Sequence, residues 1–157
     1  MVKFFNINLI ILLSLFLIGC NHKSMVSISE QIAIYQNLGF EYIELSDSTL
    51  SIGNNTININ TTDEINTYLA NQNINSSVQN LYCLYLFTDN SFQSLIYIYK
   101  FENNQSASNF ISHFQEQFNN SIFLHRNYVI QKGITDSLQS GSQNYIYFKN
   151  FCKGIKK

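Results

Sequence analysis

Residues 27–157 predict an α+β domain built on an antiparallel sheet, and three observations carry that reading. Apolar residues Ala107, Phe110, Ile111, Phe114 and Phe118 recur at helical spacing. Two apolar runs, LYCLYLF (81–87) and FQSLIYIYKF (92–101), stand at hairpin distance across Asp89-Asn90-Ser91. Two Ser/Thr-x-x-Glu pairs, Ser27/Glu30 and Thr61/Glu64, each precede an apolar stripe and mark helix starts.

In chain order, the first helix carries Ile28, Ile32 and Tyr35 on one stripe and stops at Gly39, which can take a left-handed conformation. Residues 40–45 and 49–52 are strand-like. Gly53-Asn54-Asn55 is a turn, and 56–60 alternates Ile57 and Ile59 with polar residues, so a small hairpin is expected. Ile65, Tyr68 and Leu69 form the face of the second helix, and residues 72–80 are a polar loop. The apolar hairpin follows, then the third helix entered through Asn103-Asn104. Residues 122–131 read as a strand bent at Arg126-Asn127, with a helical turn near 136–139 and a last strand at 145–148.

From residue 56 the order strand, helix, strand, strand, helix, strand resembles the split βαβ or ferredoxin-like (βαββαβ) arrangement. The resemblance implies an antiparallel sheet with helices on one face, here with an extra N-terminal helix and strands. It carries no functional weight, because that architecture hosts many unrelated activities. In it LYCLYLF would be an edge strand, and a long apolar edge needs cover. The C-terminal strand NYIYF or a partner chain would supply it.

Hydrophobic residues make up 45% of the chain and charged residues 12%, about half the usual charged share, so a folded core is expected with Asn and Ser supplying the polar surface. The net charge of −1 argues against nucleic-acid binding, which usually needs a strongly basic face. Lys149, Lys153, Lys156 and Lys157 gather at the C-terminus, either as a solvated tail or as a seat for anionic headgroups.

The N-terminus is different in kind. Lys3 precedes a run from Leu9 to Ile18 that is apolar apart from Ser14. About ten such residues match a signal-peptide core, whereas a membrane-crossing helix needs about twenty. Leu17-Ile18-Gly19-Cys20 then resembles the lipobox of bacterial lipoproteins. That resemblance implies a diacylglycerol on Cys20, removal of residues 1–19, a tether at 20–26 and one α+β domain at 27–157. It places the protein in the cell envelope, membrane-anchored and outside the cytoplasm. Asn21, which is not Asp, favours the outer membrane in a Gram-negative cell. With Cys20 acylated, Cys83 and Cys152 are candidates for a disulfide in an oxidising compartment, against a buried Cys83 and an unpaired Cys152.

Little in the chain points to catalysis. No nucleophile elbow, phosphate-cradling Gly loop or zinc-helix motif is present. His113 and Glu116 stand at i, i+3, but two ligands do not close a zinc site, and no metal or cofactor is expected. His125 lies at the predicted bend, and Glu41, Glu44 and Asp47 lie near one strand end. Tyr97 and Tyr99 share one strand face, as Tyr145 and Tyr147 would another. These four are the candidate binding surface, with core packing as the competing use. The expected function is a non-catalytic, lipid-anchored module that binds or assembles with an envelope protein. The alternative is a small inhibitor or immunity lipoprotein that presents the 72–80 loop to a lytic enzyme. Mass spectrometry of the mature protein is expected to find an acylated Cys20 at its N-terminus. Cys20→Ser should move the chain from the membrane to the aqueous fraction.

Overall fold

The computed structural model describes residues 26–52, 55–118, 121–133 and 142–155. Its elements are α1 (Ile28–Asn37), β1 (Glu41–Glu44), β2 (Thr49–Ile52), β3 (Asn55–Asn58), α2 (Thr62–Asn71), β4 (Val78–Thr88), β5 (Ser91–Phe101), α3 (Asn104–Phe118), β6 (Ile122–His125), β7 (Tyr128–Lys132) and α4 (Ser142–Gly154). Five strands form an antiparallel sheet in the order β1-β4-β5-β7-β6, and β2 and β3 make a separate hairpin. The α+β class is therefore as expected.

The local signals explain most of these elements. Both predicted capping boxes form: Ser27 and Thr61 each accept from the backbone of the glutamate three residues on, and each glutamate accepts from the cap backbone. Gly39 takes φ +90° just past the end of α1. The two residues between β4 and β5, Asp89 and Asn90, have φ of 53° and 60°, as a tight hairpin turn demands.

Period-two alternation then sends β4 and β5 side chains to two different cores. Leu84, Ile96 and Ile98 pack with Tyr35 and Phe40 from the α1 side and with Phe148, Phe151, Cys152 and Ile155 from the α4 side. Leu81, Cys83, Tyr85 and Leu95 pack with Leu45, Leu50 and Ile59 of the hairpin region. Further along the same face, Val78, Phe101 and Val129 meet Leu69 of α2 and Ala107, Phe110 and Phe114 of α3.

Several expectations are corrected. Helices lie on both faces of the sheet, not one. The βαββαβ order is not followed, because the strand expected at 56–60 pairs only with β2 and lies outside the main sheet. LYCLYLF is no edge: β1 pairs along it from Glu44↔Tyr82 to Glu41↔Tyr85, so neither a C-terminal strand nor a partner chain is needed there. Residues 122–131 form a hairpin, β6 and β7, with Arg126 at φ 56° in its turn. The strand expected at 145–148 belongs to α4. Phe148, Phe151, Cys152 and Ile155 stand at i, i+3, i+4 and i+7 and bury one helical stripe. The helical turn expected at 136–139 lies outside the described residues.

A buried asparagine fastens α4. Asn144, 4% exposed, accepts through Oδ1 from the Ser94 hydroxyl at 3.0 Å and the Leu95 amide at 3.1 Å, and donates through Nδ2 to the Gly133 carbonyl at 3.0 Å. Gly133 must be glycine here, since a Cβ would come within 2.6 Å of the Leu95 side chain. At the other end of α4, the Val26 amide donates to the Gly154 carbonyl at 2.9 Å, and Val26 pairs with Ile155 in a parallel bridge. In urea unfolding, Phe151→Ala is expected to cost about 3–5 kcal/mol, as large-to-small changes in a dry core do. Ser27→Ala should cost about 1 kcal/mol through loss of the α1 cap.

Candidate functional site: a tyrosine-floored pocket

On the face that carries α2, α3 and the β2–β3 hairpin, the layers do not close completely. A cavity of about 660 Å³ remains. Its floor is the sheet itself: Leu81 of β4, Tyr97 and Tyr99 of β5, and Gln131 of β7. Tyr97 and Gln131 are direct cross-strand partners, and Tyr97 and Tyr99 share the face because they are two residues apart. Glu64, Ile65 and Tyr68 of α2 form one wall, and Phe110 and Phe114 of α3 form another. The end of β3 and the segment after it close the third side with Asn58, Ile59 and Asn60.

Five rings run through this space in sequence. Centroids of Tyr97 and Tyr99 lie 6.5 Å apart, Tyr99 and Phe110 5.6 Å, Phe110 and Phe114 4.6 Å, and Tyr68 and Phe114 6.0 Å. These are ordinary aromatic packing distances, so the rings brace one another while still lining the cavity. The Tyr99 hydroxyl donates to Gln131 Oε1 at 2.8 Å. Burial, with Cys83 nearby, pushes the Tyr97 and Tyr99 hydroxyls above their usual range, so both stay neutral donors at any physiological pH. Among the described lining residues Glu64 is the single formally charged one, and its Oε2 already accepts from the Thr61 amide at 2.7 Å and hydroxyl at 3.1 Å.

The four tyrosines expected to share a binding role are thus divided. Tyr97 and Tyr99 floor the cavity. Tyr145 and Tyr147 lie on α4, across the sheet, where they pack. The Tyr147 carbonyl accepts from the Tyr35 hydroxyl at 2.7 Å and its ring meets Phe40 at 5.1 Å. The Tyr145 ring lies 5.6 Å from Lys149 Nζ. What sequence reasoning missed is Gln131 and the amides Asn58 and Asn60, which no motif marks. Phe110 and Phe114 were legible only as a core stripe.

The other singled-out groups do not converge. Glu41 accepts from the Tyr85 hydroxyl on one sheet face, Glu44 from Asn80 Nδ2 at 2.6 Å on the other, and Asp47 is exposed. His113 is exposed beside Phe114. His125 is buried at the β6–β7 turn, where desolvation and then Arg126 hold its pKa below the usual imidazole value. Among the described residues no three His, Cys, Asp or Glu side chains group as metal ligands, and no helix is long and apolar enough to cross a membrane. Cys20 and the leader lie outside the described residues.

Cys83 and Cys152 are free and buried, in separate cores on opposite faces of the sheet. Of the two alternatives the sequence leaves open, a Cys83–Cys152 bridge or a buried Cys83 with an unpaired Cys152, the structure has both thiols unpaired, because α4 sets Cys152 on the sheet face opposite Cys83. Fold and site together define a layered α+β domain with an open aromatic pocket on one face. No protein-family model, curated protein or solved structure matches the chain.

Burial pushes the Cys152 thiol up to about 12 and raises Cys83 as well. Thiol titration with a disulfide reagent is therefore expected to find neither group reactive in the native mature protein. It should count two groups once the chain is denatured. One missing pair in the denatured, unreduced sample would establish a bridge instead.

Proposed function

We propose that this protein is a lipid-anchored binding protein of the bacterial cell envelope, whose domain holds a ligand or a partner group in the tyrosine-floored pocket without chemically changing it. The observation that carries this reading is the lining. Among the described residues it offers five aromatic rings, three carboxamides and one carboxylate, with no nucleophile–base pair. Its volume of about 660 Å³ falls within the range of small-ligand sites. The anchor at Cys20, with the outer membrane as its seat in a Gram-negative cell, is supported by the Leu17-Ile18-Gly19-Cys20 motif. Val26 lies against the end of α4. Six residues separate it from the lipid, a contour of about 20 Å, so the domain works close to the bilayer surface.

The apolar-edge argument for a protein partner falls away with β1 in place. The inhibitor reading loses its loop as well. Residues 72–77 are tied down, with Asn109 Nδ2 donating to the Asn75 carbonyl at 2.6 Å, the Ser76 hydroxyl to the Ser106 carbonyl at 2.8 Å, and the Val78 amide to Asn66 Oδ1 at 2.8 Å. A pocket occupant is the better-supported partner.

A photo-crosslinking side chain at Tyr68, which is 44% exposed at the pocket rim, tests this in living cells. The same group at Ile146, 45% exposed on α4 across the sheet, serves as the control. A specific adduct at 68 and none at 146 is expected. Equal labelling at both sites, or none at 68, would remove the pocket from the protein's function.

A further inference from the structure

Which chemistry fits the pocket follows from its unengaged groups. We propose that it takes a neutral, hydroxyl-rich ring, a mono- or disaccharide unit lying flat on the tyrosine floor. This inference rests on the pocket being a binding site, and it names the class of ligand.

Gln131 carries the argument. Only 8% exposed, it is held at one end of its carboxamide by the Tyr99 hydroxyl, while its Nε2 has no hydrogen-bond partner among the described residues and opens to the water of the cavity, since no buried side-chain polar atom described is left unpaired. The Tyr97 hydroxyl beside it likewise has none. A carboxamide offers two donors and an acceptor, and a phenol offers one of each. A sugar hydroxyl, itself both donor and acceptor, can answer either group. Around these polar points Tyr97, Tyr99 and Phe110 line the cavity with tilted aromatic rings, whose π surfaces suit the C–H groups of a sugar ring.

Other ligand classes fit less well. Among the described residues no Lys, Arg or His lines the pocket, so none of them balances an anion there. An organic cation would find aromatic faces, yet the one carboxylate, Glu64, is exposed and already accepts two hydrogen bonds from Thr61. Attraction to an exposed, shared carboxylate is weak and screened by salt. A purely apolar chain would cover Gln131 and Tyr97 without pairing either, which is costly for a buried polar group.

Calorimetric titration of the mature full-length chain in polyoxyethylene-ether micelles, with N,N′-diacetylchitobiose, cellobiose and maltose, tests the assignment. Tetramethylammonium is the cation control. At least one disaccharide is expected to bind saturably with a Kd below about 1 mM. Tyr97→Phe, which keeps the ring and removes one hydroxyl, should weaken it about five- to tenfold with an unchanged melting curve. Gln131→Met should weaken it further. Saturable tetramethylammonium binding that Glu64→Gln abolishes, with no disaccharide bound, would overturn the sugar assignment in favour of a cation. Absence of every disaccharide from a natively melting protein would overturn it too. In both cases the crosslink at Tyr68 reports separately whether the pocket is used at all.

Discussion

The pairing of β4 with β5 is the constraint on which the rest of this molecule depends. Each strand has eleven residues, and the register Cys83↔Tyr97 sends one alternate set of side chains toward α1 and α4 and the other toward α2, α3 and the hairpin. A one-residue slip would exchange these sets. Tyr97 and Tyr99 would then face α4, Ile96 and Ile98 would face the pocket, and both cores would lose their fit. Because both faces are covered, the register is specified twice over, and the tyrosine floor inherits that precision.

Covering both faces also explains why the chain spends helices where a simpler plait would have spent a strand. Ile96, Ile98 and Ile130 on the α4 side are wholly buried. A bare sheet face of that composition would be an aggregation site. The α4 stripe of Phe148, Phe151, Cys152 and Ile155 covers it, and the Asn144 carboxamide sets where that helix sits by bonding Ser94, Leu95 and Gly133 together. On the opposite face the cover arrives from three separate segments, α2, α3 and the β2–β3 hairpin. Their imperfect closure over β5 leaves the pocket.

Legibility in the sequence followed how local each signal was. The capping boxes at Ser27 and Thr61, the Asp89-Asn90 turn and the α3 stripe depend on residues within a few positions of one another, and all could be read directly. The failures lay where tertiary context decided between two valid local readings. Residues 145–148 read YIYF, an alternation that suits a strand. Yet Phe151, Cys152 and Ile155 continue a helical stripe from Phe148, and burial against Ile96 and Ile130 favours the longer pattern. Likewise nothing near residues 41–44 announces that so short a segment will pair with LYCLYLF and remove it from the edge. Of the candidate site, the Tyr97, Tyr99 pair on the floor was visible. Gln131 was not, because its role comes from its place opposite Tyr97 on another strand.

A pocket of this composition also fits a chain so poor in charge. With charged residues at 12%, the protein has little long-range field with which to steer a ligand. The lining repeats the pattern, with carboxamides and phenols in place of ion pairs and phenol protons held on by burial. Neither group changes charge as pH moves through the range where histidines and carboxylates titrate. The recognition proposed here would rest on ring shape and matched hydrogen bonds at short range, which tolerate changes in salt and acidity. Those are the conditions a surface facing outside the cytoplasm experiences, and the chemistry of the pocket and the proposed position of the anchor are consistent in that respect.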